Sequence, residues 1–236
     1  MDLDIEYVRD AFTLDVENAE CNVEIKPAND CLKIRGNVVK GNETIAQYGR
    51  TIAQGTNALY ASHDSIWIGT NYRGLGIART LISQSLQLYD SVGVTHIDLI
   101  AADEGTTVWP RYAWSPVDLS ERSEEQGIHL VHERIRWHIT KVTSLDDDEE
   151  LPTFGPDILG LILKNRNGVF FLEIGEIQRP SGNSAYVGVE ALAELGRDEV
   201  LVPMRLDLTD ERTRSFLIGR GLMSVTQESD RLEERP

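Results

Sequence analysis

The sequence predicts an α/β chain of the α+β kind: a mixed central sheet built around a parallel strand–helix–strand unit, with a C-terminal α/β extension. Three observations carry this. Strand-like runs at 22–25, 32–39 and 44–52 follow one another with short turns between them. Another strand at 58–68 runs through a glycine-containing loop into an amphipathic helix that reaches Val92. A brief alternating run at 96–101 then reads as the next strand.

The elements follow in order. Residues 7–14 form a short helical pattern within an acidic opening segment. The first three strands are separated by Pro27-Ala28-Asn29-Asp30 and Lys40-Gly41-Asn42-Glu43, which are rich in turn formers. Connections this short join antiparallel neighbours. In the helix, Ile77, Ala78, Leu81, Ile82, Ser85, Leu88 and Tyr89 recur at three- and four-residue spacing, and Gly93 stands where a helix stops. A strand, a crossover helix and a second strand imply a parallel pair. Further on, helices are expected at 123–137, from Pro156 through 163, at 189–195 and at 210–217, with a strand at 169–174. The run Asp146-Asp147-Asp148-Glu149-Glu150 reads as a solvated acidic turn.

Composition narrows the class. A chain of 236 residues, 41% hydrophobic and 26% charged, can bury a sizeable core. No apolar run approaches the ~20 residues that cross a bilayer. The acidic start Met1-Asp2-Leu3-Asp4 lacks the pattern of a signal peptide, so the cytoplasm is the expected location. Cys21 and Cys31 make no disulfide framework and read as reduced, partly buried side chains. A formal charge of −16 repels nucleic acid and anionic membranes and attracts cationic molecules such as amines or basic proteins.

The loop Arg73-Gly74-Leu75-Gly76-Ile77-Ala78-Arg79 is the most informative stretch. Two glycines between strand and helix permit a tight turn, and the free N–H groups of the helix start favour an anion. It is not a Walker loop, because Leu75-Gly76 stands where Lys-Ser/Thr is needed. It is not a dinucleotide fingerprint, because Arg79 stands where a third small residue is needed.

Arg73-Gly74-Leu75-Gly76-Ile77-Ala78 does match every fixed position of Gln/Arg-x-x-Gly-x-Gly/Ala, and so resembles the pyrophosphate loop of the GNAT-type N-acyltransferases. A second stretch, Gly105-Thr106-Thr107-Val108-Trp109-Pro110-Arg111-Tyr112-Ala113-Trp114, resembles the Gly-x-x-x-Trp-x-Arg-x-Gly-Phe element of a divergent bacterial and phage branch, with Ala113 for Gly and Trp114 for Phe. Leu151-Pro152-Thr153-Phe154-Gly155-Pro156 also looks similar to a segment of that branch. The resemblance covers residues 58–114 and implies a GNAT-like acyl-CoA-binding core over 1–116, with 117–236 packed on it as an extension or continuing the same domain. It implies acetyl-CoA or another acyl-CoA as cofactor, and an amine on a small molecule or a basic protein as acceptor. The cofactor would lie along Ile66, Trp67 and Ile68, with its pyrophosphate on Arg73, Gly74, Leu75, Gly76, Ile77, Ala78 and Arg79.

Acyl transfer from a thioester makes its own demands. An alkylamine of pKa about 10 must lose a proton before it attacks. The carbonyl oxygen needs a donor as charge develops on it. The departing thiolate benefits from an acid. By the family's spacing the base position, nine residues before Arg73, is Asp64, and the acid position, four before Ala113, is Trp109. An indole cannot serve as that acid. Tyr112 has the right chemistry at another offset, and His63 neighbours Asp64 but alternates to the opposite face. The alternative is therefore a GNAT scaffold that binds without turning over. His129, His132 and Glu133 share a helical face but lack the His-Glu-x-x-His order, so no metal is expected.

Overall fold

The computed structural model describes residues 3–102, 105–116, 176–178, 184–186 and 201–224. In chain order its elements are α1 (Ile5–Phe12), β1 (Glu20–Ala28), β2 (Cys31–Lys40), β3 (Glu43–Gln54), β4 (Leu59–Ile68), α2 (Ile77–Val92), β5 (Val94–Ala101), α3 (Gly105–Val108), β6 (Ser115–Pro116), β7 (Glu176–Gln178), β8 (Ser184–Tyr186), β9 (Val202–Asp207) and α4 (Glu211–Gly219). Short 3-10 turns occupy Thr70–Tyr72 and Trp109–Tyr112. The architecture is α+β with a mixed sheet. Two compact units divide the chain. The first takes the described parts of Met1–Leu59, Ser65–Val94 and Arg214–Pro236, and the second those of Tyr60–Asp64 and Thr95–Thr213.

In the first unit the strand order is β1-β2-β3-β4, with β1–β2 and β2–β3 antiparallel. α1 starts because the Asp4 carboxylate accepts the N–H groups of Glu6 and Tyr7, at 2.9 and 3.3 Å. It buries Val8 and Phe12. Phe12 packs against Tyr48 and Tyr89, with ring centroids 6.4 and 6.2 Å away. Tyr48 lies directly across the ladder from Gly36, and its ring occupies the space a Cβ would need there. The Tyr48 hydroxyl donates to the Phe12 carbonyl. Burial first, and the neighbouring Cys21 thiol second, push that hydroxyl far above the usual tyrosine range.

α2 buries Ile77, Leu81, Ile82, Ser85, Leu86, Leu88 and Tyr89, which is the expected stripe with Leu86 added and Ala78 at its margin. Gly93 ends it in the left-handed conformation, φ +80°. A second row on α2 holds α4 and the turn after it. Asp90 accepts from Arg214 at 2.7 Å, Arg79 donates to the Arg220 carbonyl at 2.5 Å, and the Ser83 hydroxyl donates to the Leu222 carbonyl at 3.1 Å.

In the second unit the order is β4-β5-β9-β6, with β9 antiparallel to both β5 and β6. Ile97, Leu99 and Ala101 of β5 and Val202, Met204 and Leu206 of β9 fill the core face. His96, Asp98 and Ile100 stand opposite Asp207, Arg205 and Pro203 on the other face. The Asp210 carboxylate accepts the Thr213 N–H at 2.7 Å and opens α4. β7 and β8 form a separate antiparallel pair.

Several expectations shift. The first helix starts and ends two residues earlier than its pattern. β1 continues through Pro27 and Ala28, where a turn is expected, because proline is tolerated on a strand that, among the described residues, pairs on one side only. β9 is a strand that periodicity did not select. Pro203 interrupts its pattern and discourages a strand assignment. α4 matches the helix expected at 210–217 within two residues. The helices expected at 123–137, 156–163 and 189–195, the strand at 169–174 and the acidic run at 146–150 lie outside the described residues.

Candidate functional site

The glycine loop is built from the end of β4 upward. The Gly69 N–H donates to the Ile45 carbonyl at 2.9 Å, which fixes where the strand stops. The Thr70–Tyr72 turn follows, and its Tyr72 hydroxyl donates to Glu43 at 3.0 Å. Arg73 folds back so that its Nε donates to the Ile68 carbonyl at 3.3 Å. Gly74 and Gly76 then take φ of +80° and +85°, a region closed to most side chains, and no atom lies within 4 Å of where a Cβ would stand. The glycines are therefore demanded by backbone conformation, and the space beside them is open.

Gly76 caps α2 without any side-chain bond, and no acidic residue occupies the first turn. Among the described residues, no carbonyl outside α2 accepts from the N–H groups of Gly74, Leu75, Gly76, Ile77, Ala78 or Arg79. These donors and the positive end of a 16-residue helix dipole coincide. Leu75 is 69% exposed at the loop tip. Along β4, Trp67 is 48% exposed, while Ile66 and Ile68 are half-buried. Arg79 lies in the first turn of α2, and its guanidinium is engaged by the Arg220 carbonyl.

The acid–base candidates sit in the second unit. Alternation along β4 separates His63, which is buried, from Asp64, which is exposed. His63 packs between Trp109 and Trp114, with ring centroids 6.0 and 5.4 Å away, and the two indoles lie 5.2 Å apart. That is a packing position in the core. Tyr112 is half-buried in the Trp109–Tyr112 turn. Ala113 ends that turn at φ +73°, a conformation that favours glycine. Its methyl group is fully buried, and that burial offsets part of the strain of about 1–2 kcal/mol. The cofactor candidates Ile66, Trp67, Ile68 and Arg73 through Arg79 all belong to the first unit.

One polar group was not singled out from the sequence. Arg205 holds Asp98 by two bonds of 2.6 and 2.8 Å across the β5–β9 ladder. His96 stacks on Tyr60 at 5.7 Å, with ring planes 7° apart. Burial, then the Arg205 charge, push the His96 pKa below its ordinary value. Asp98, 3.9 Å away, pulls in the other direction, but its charge is already shared with Arg205. The signal available in sequence was the strand alternation of His96 and Asp98, without the β9 partner that completes the group.

No protein-family model matches the sequence, and no curated protein matches it at a significant level. Among the described residues, no helix is long and apolar enough to cross a membrane.

Proposed function

We propose that the chain is a GNAT-type N-acyltransferase that takes acetyl-CoA or another acyl-CoA and acylates an amine. One observation carries this reading: among the described residues, no carbonyl outside α2 engages the loop and helix-start amides Gly74 to Arg79, and the space beside Gly74 and Gly76 is open, after a strand whose sequence and loop resemble that family. Such amides suit the paired phosphates of coenzyme A. Ile66, Trp67 and Ile68 would line the pantetheine arm. Arg73 would add charge beside the loop. Asp64, exposed on β4, would take the amine's proton directly or through a water. The net charge of −16 would draw a cationic acceptor, whether a small amine or a basic protein.

A second reading is a scaffold that binds coenzyme A without turnover. It is favoured by Trp109, 8% exposed and packed on His63 and Trp114 at the family's usual acid position. Tyr112 is the residue that would have to supply the proton instead.

Two measurements test and separate these readings. Calorimetry with coenzyme A reports binding, and thiol release from acetyl-CoA with a panel of amines reports turnover. Binding with turnover supports the enzyme. Binding alone supports the scaffold. Absence of binding removes both.

A further inference from the structure

Among the described residues β1 has one strand partner, β2, and no strand lies along its other edge. Such an edge carries unpaired N–H and C=O groups along its length. Its two faces differ. Glu20, Asn22, Glu24 and Lys26 are exposed, while Cys21, Val23 and Ile25 are only half-buried. We propose that this edge is an interface with a second copy of the chain, in which β1 pairs antiparallel with the partner's β1 about a two-fold axis through Val23.

The register follows from parity and charge. A two-fold axis normal to the sheet keeps core faces together, so opposed residues must alternate in step. Centring on Asn22 sets Glu20 against the partner's Glu24, and centring on Glu24 sets that carboxylate against itself. Centring on Cys21 leaves three residues in the ladder, and centring on Ile25 brings in Pro27, which has no N–H to give. Centring on Val23 sets Glu20 against the partner's Lys26 and Asn22 against the partner's Glu24. Cys21 then meets the partner's Ile25, Val23 meets its own copy, and Pro27 stays outside. Every exposed charge finds an opposite or neutral neighbour, and the half-covered apolar side chains are completed. Lys26 already pairs with Glu24 of its own strand at 2.7 Å, but both groups are more than half exposed, so that pair does not hold it back.

A ladder of this length falls below the size of permanent interfaces, so the dimer is reversible and concentration-dependent. The two chains repel as wholes at −16 each, and association is best read at about 0.15 M salt, where the screening length is about 8 Å. Sedimentation equilibrium of the full chain should show a mass rising with concentration from 26.5 kDa toward twice that value. Glu20→Lys and Lys26→Glu should each weaken association about tenfold, because each change creates two like-charged pairs per dimer. The double variant E20K/K26E should restore it. In a Cys21→Ser/Cys31→Ser background, Val23→Cys should cross-link to a second copy under mild oxidation, and Lys26→Cys should not. A chain that stays monomeric up to about 1 mM, single variants that associate like the unmodified chain, a double variant that fails to recover, or cross-linking at Lys26→Cys rather than Val23→Cys would each overturn the proposal.

Discussion

Replacing Gly36 by alanine tests the packing of the first unit. A Cβ at Gly36 would stand 1.9 Å from Tyr48 Cζ, 2.3 Å from its hydroxyl oxygen and 2.4 Å from Cε1. Ordinary contact begins at 3.4 Å, so the ring must retreat by about 1.5 Å. The ring is packed against Phe12, and its hydroxyl is held by the Phe12 carbonyl and the Cys21 thiol, so it has little freedom to retreat. Forcing a methyl group into such a site costs about 1–3 kcal/mol. Loss of the buried hydroxyl bond adds about 1–3 kcal/mol. Reduced freedom of the unfolded chain returns about 0.4–1 kcal/mol. The expected net loss is about 1–5.5 kcal/mol, read as a fall in the urea midpoint at constant slope. Gly41→Ala is the control, since φ is +63° with nothing within 4 Å, and it should lose about 1–2 kcal/mol from backbone strain alone. In a Tyr48→Ala background the Gly36→Ala cost should vanish. A Gly36→Ala protein within about 0.5 kcal/mol of the original, or an unchanged cost beside Ala at position 48, would refute the steric argument.

Other outcomes follow from the loop and the charged ladder. Gly76→Val and Gly93→Val place a branched residue at equal left-handed conformations at the two ends of α2, so both should lose about 1–3 kcal/mol; only the first should lose coenzyme A binding by calorimetry. Asp64→Asn should lower kcat for thiol release by about a hundredfold or more at unchanged coenzyme affinity, with a smaller loss for Tyr112→Phe. His96 should make stability depend on pH with a definite sign. Its folded pKa lies below the ordinary 6.5, so the unfolded chain binds the proton better. Stability should be full above that value and fall as pH drops below it, and His96→Gln should flatten the urea-midpoint profile between pH 7.5 and 5.5.

Much of the first half was legible because its signals were local. Ile77 to Val92 shows a helical stripe with a glycine at each end, and the structure gives those same bounds. Alternation alone separated His63 from Asp64. What failed was information carried by distant partners. β9 is held between β5 and β6, so Pro203 is tolerated opposite Ile100 although it interrupts the local pattern. The Asp98–Arg205 pair spans 107 residues and cannot be read from either strand alone. Arg79 stood in the loop as a cation for phosphate, yet its partner is a carbonyl 141 residues downstream. The loop's glycines were readable because a positive φ constrains residue type at the position itself.

The anchoring of α2 by the last described helix sets an order for biosynthesis. Its three ties join residues 124, 139 and 141 positions apart. A ribosome adding about 5–20 residues per second needs on the order of ten seconds to travel that far. Throughout that delay the nascent α2 lacks its docking helix, and contacts of such separation form slowly even after release. The side of α2 that α4 covers is therefore left open until synthesis has passed Leu222, and expression at lower temperature should raise the recovery of folded chain.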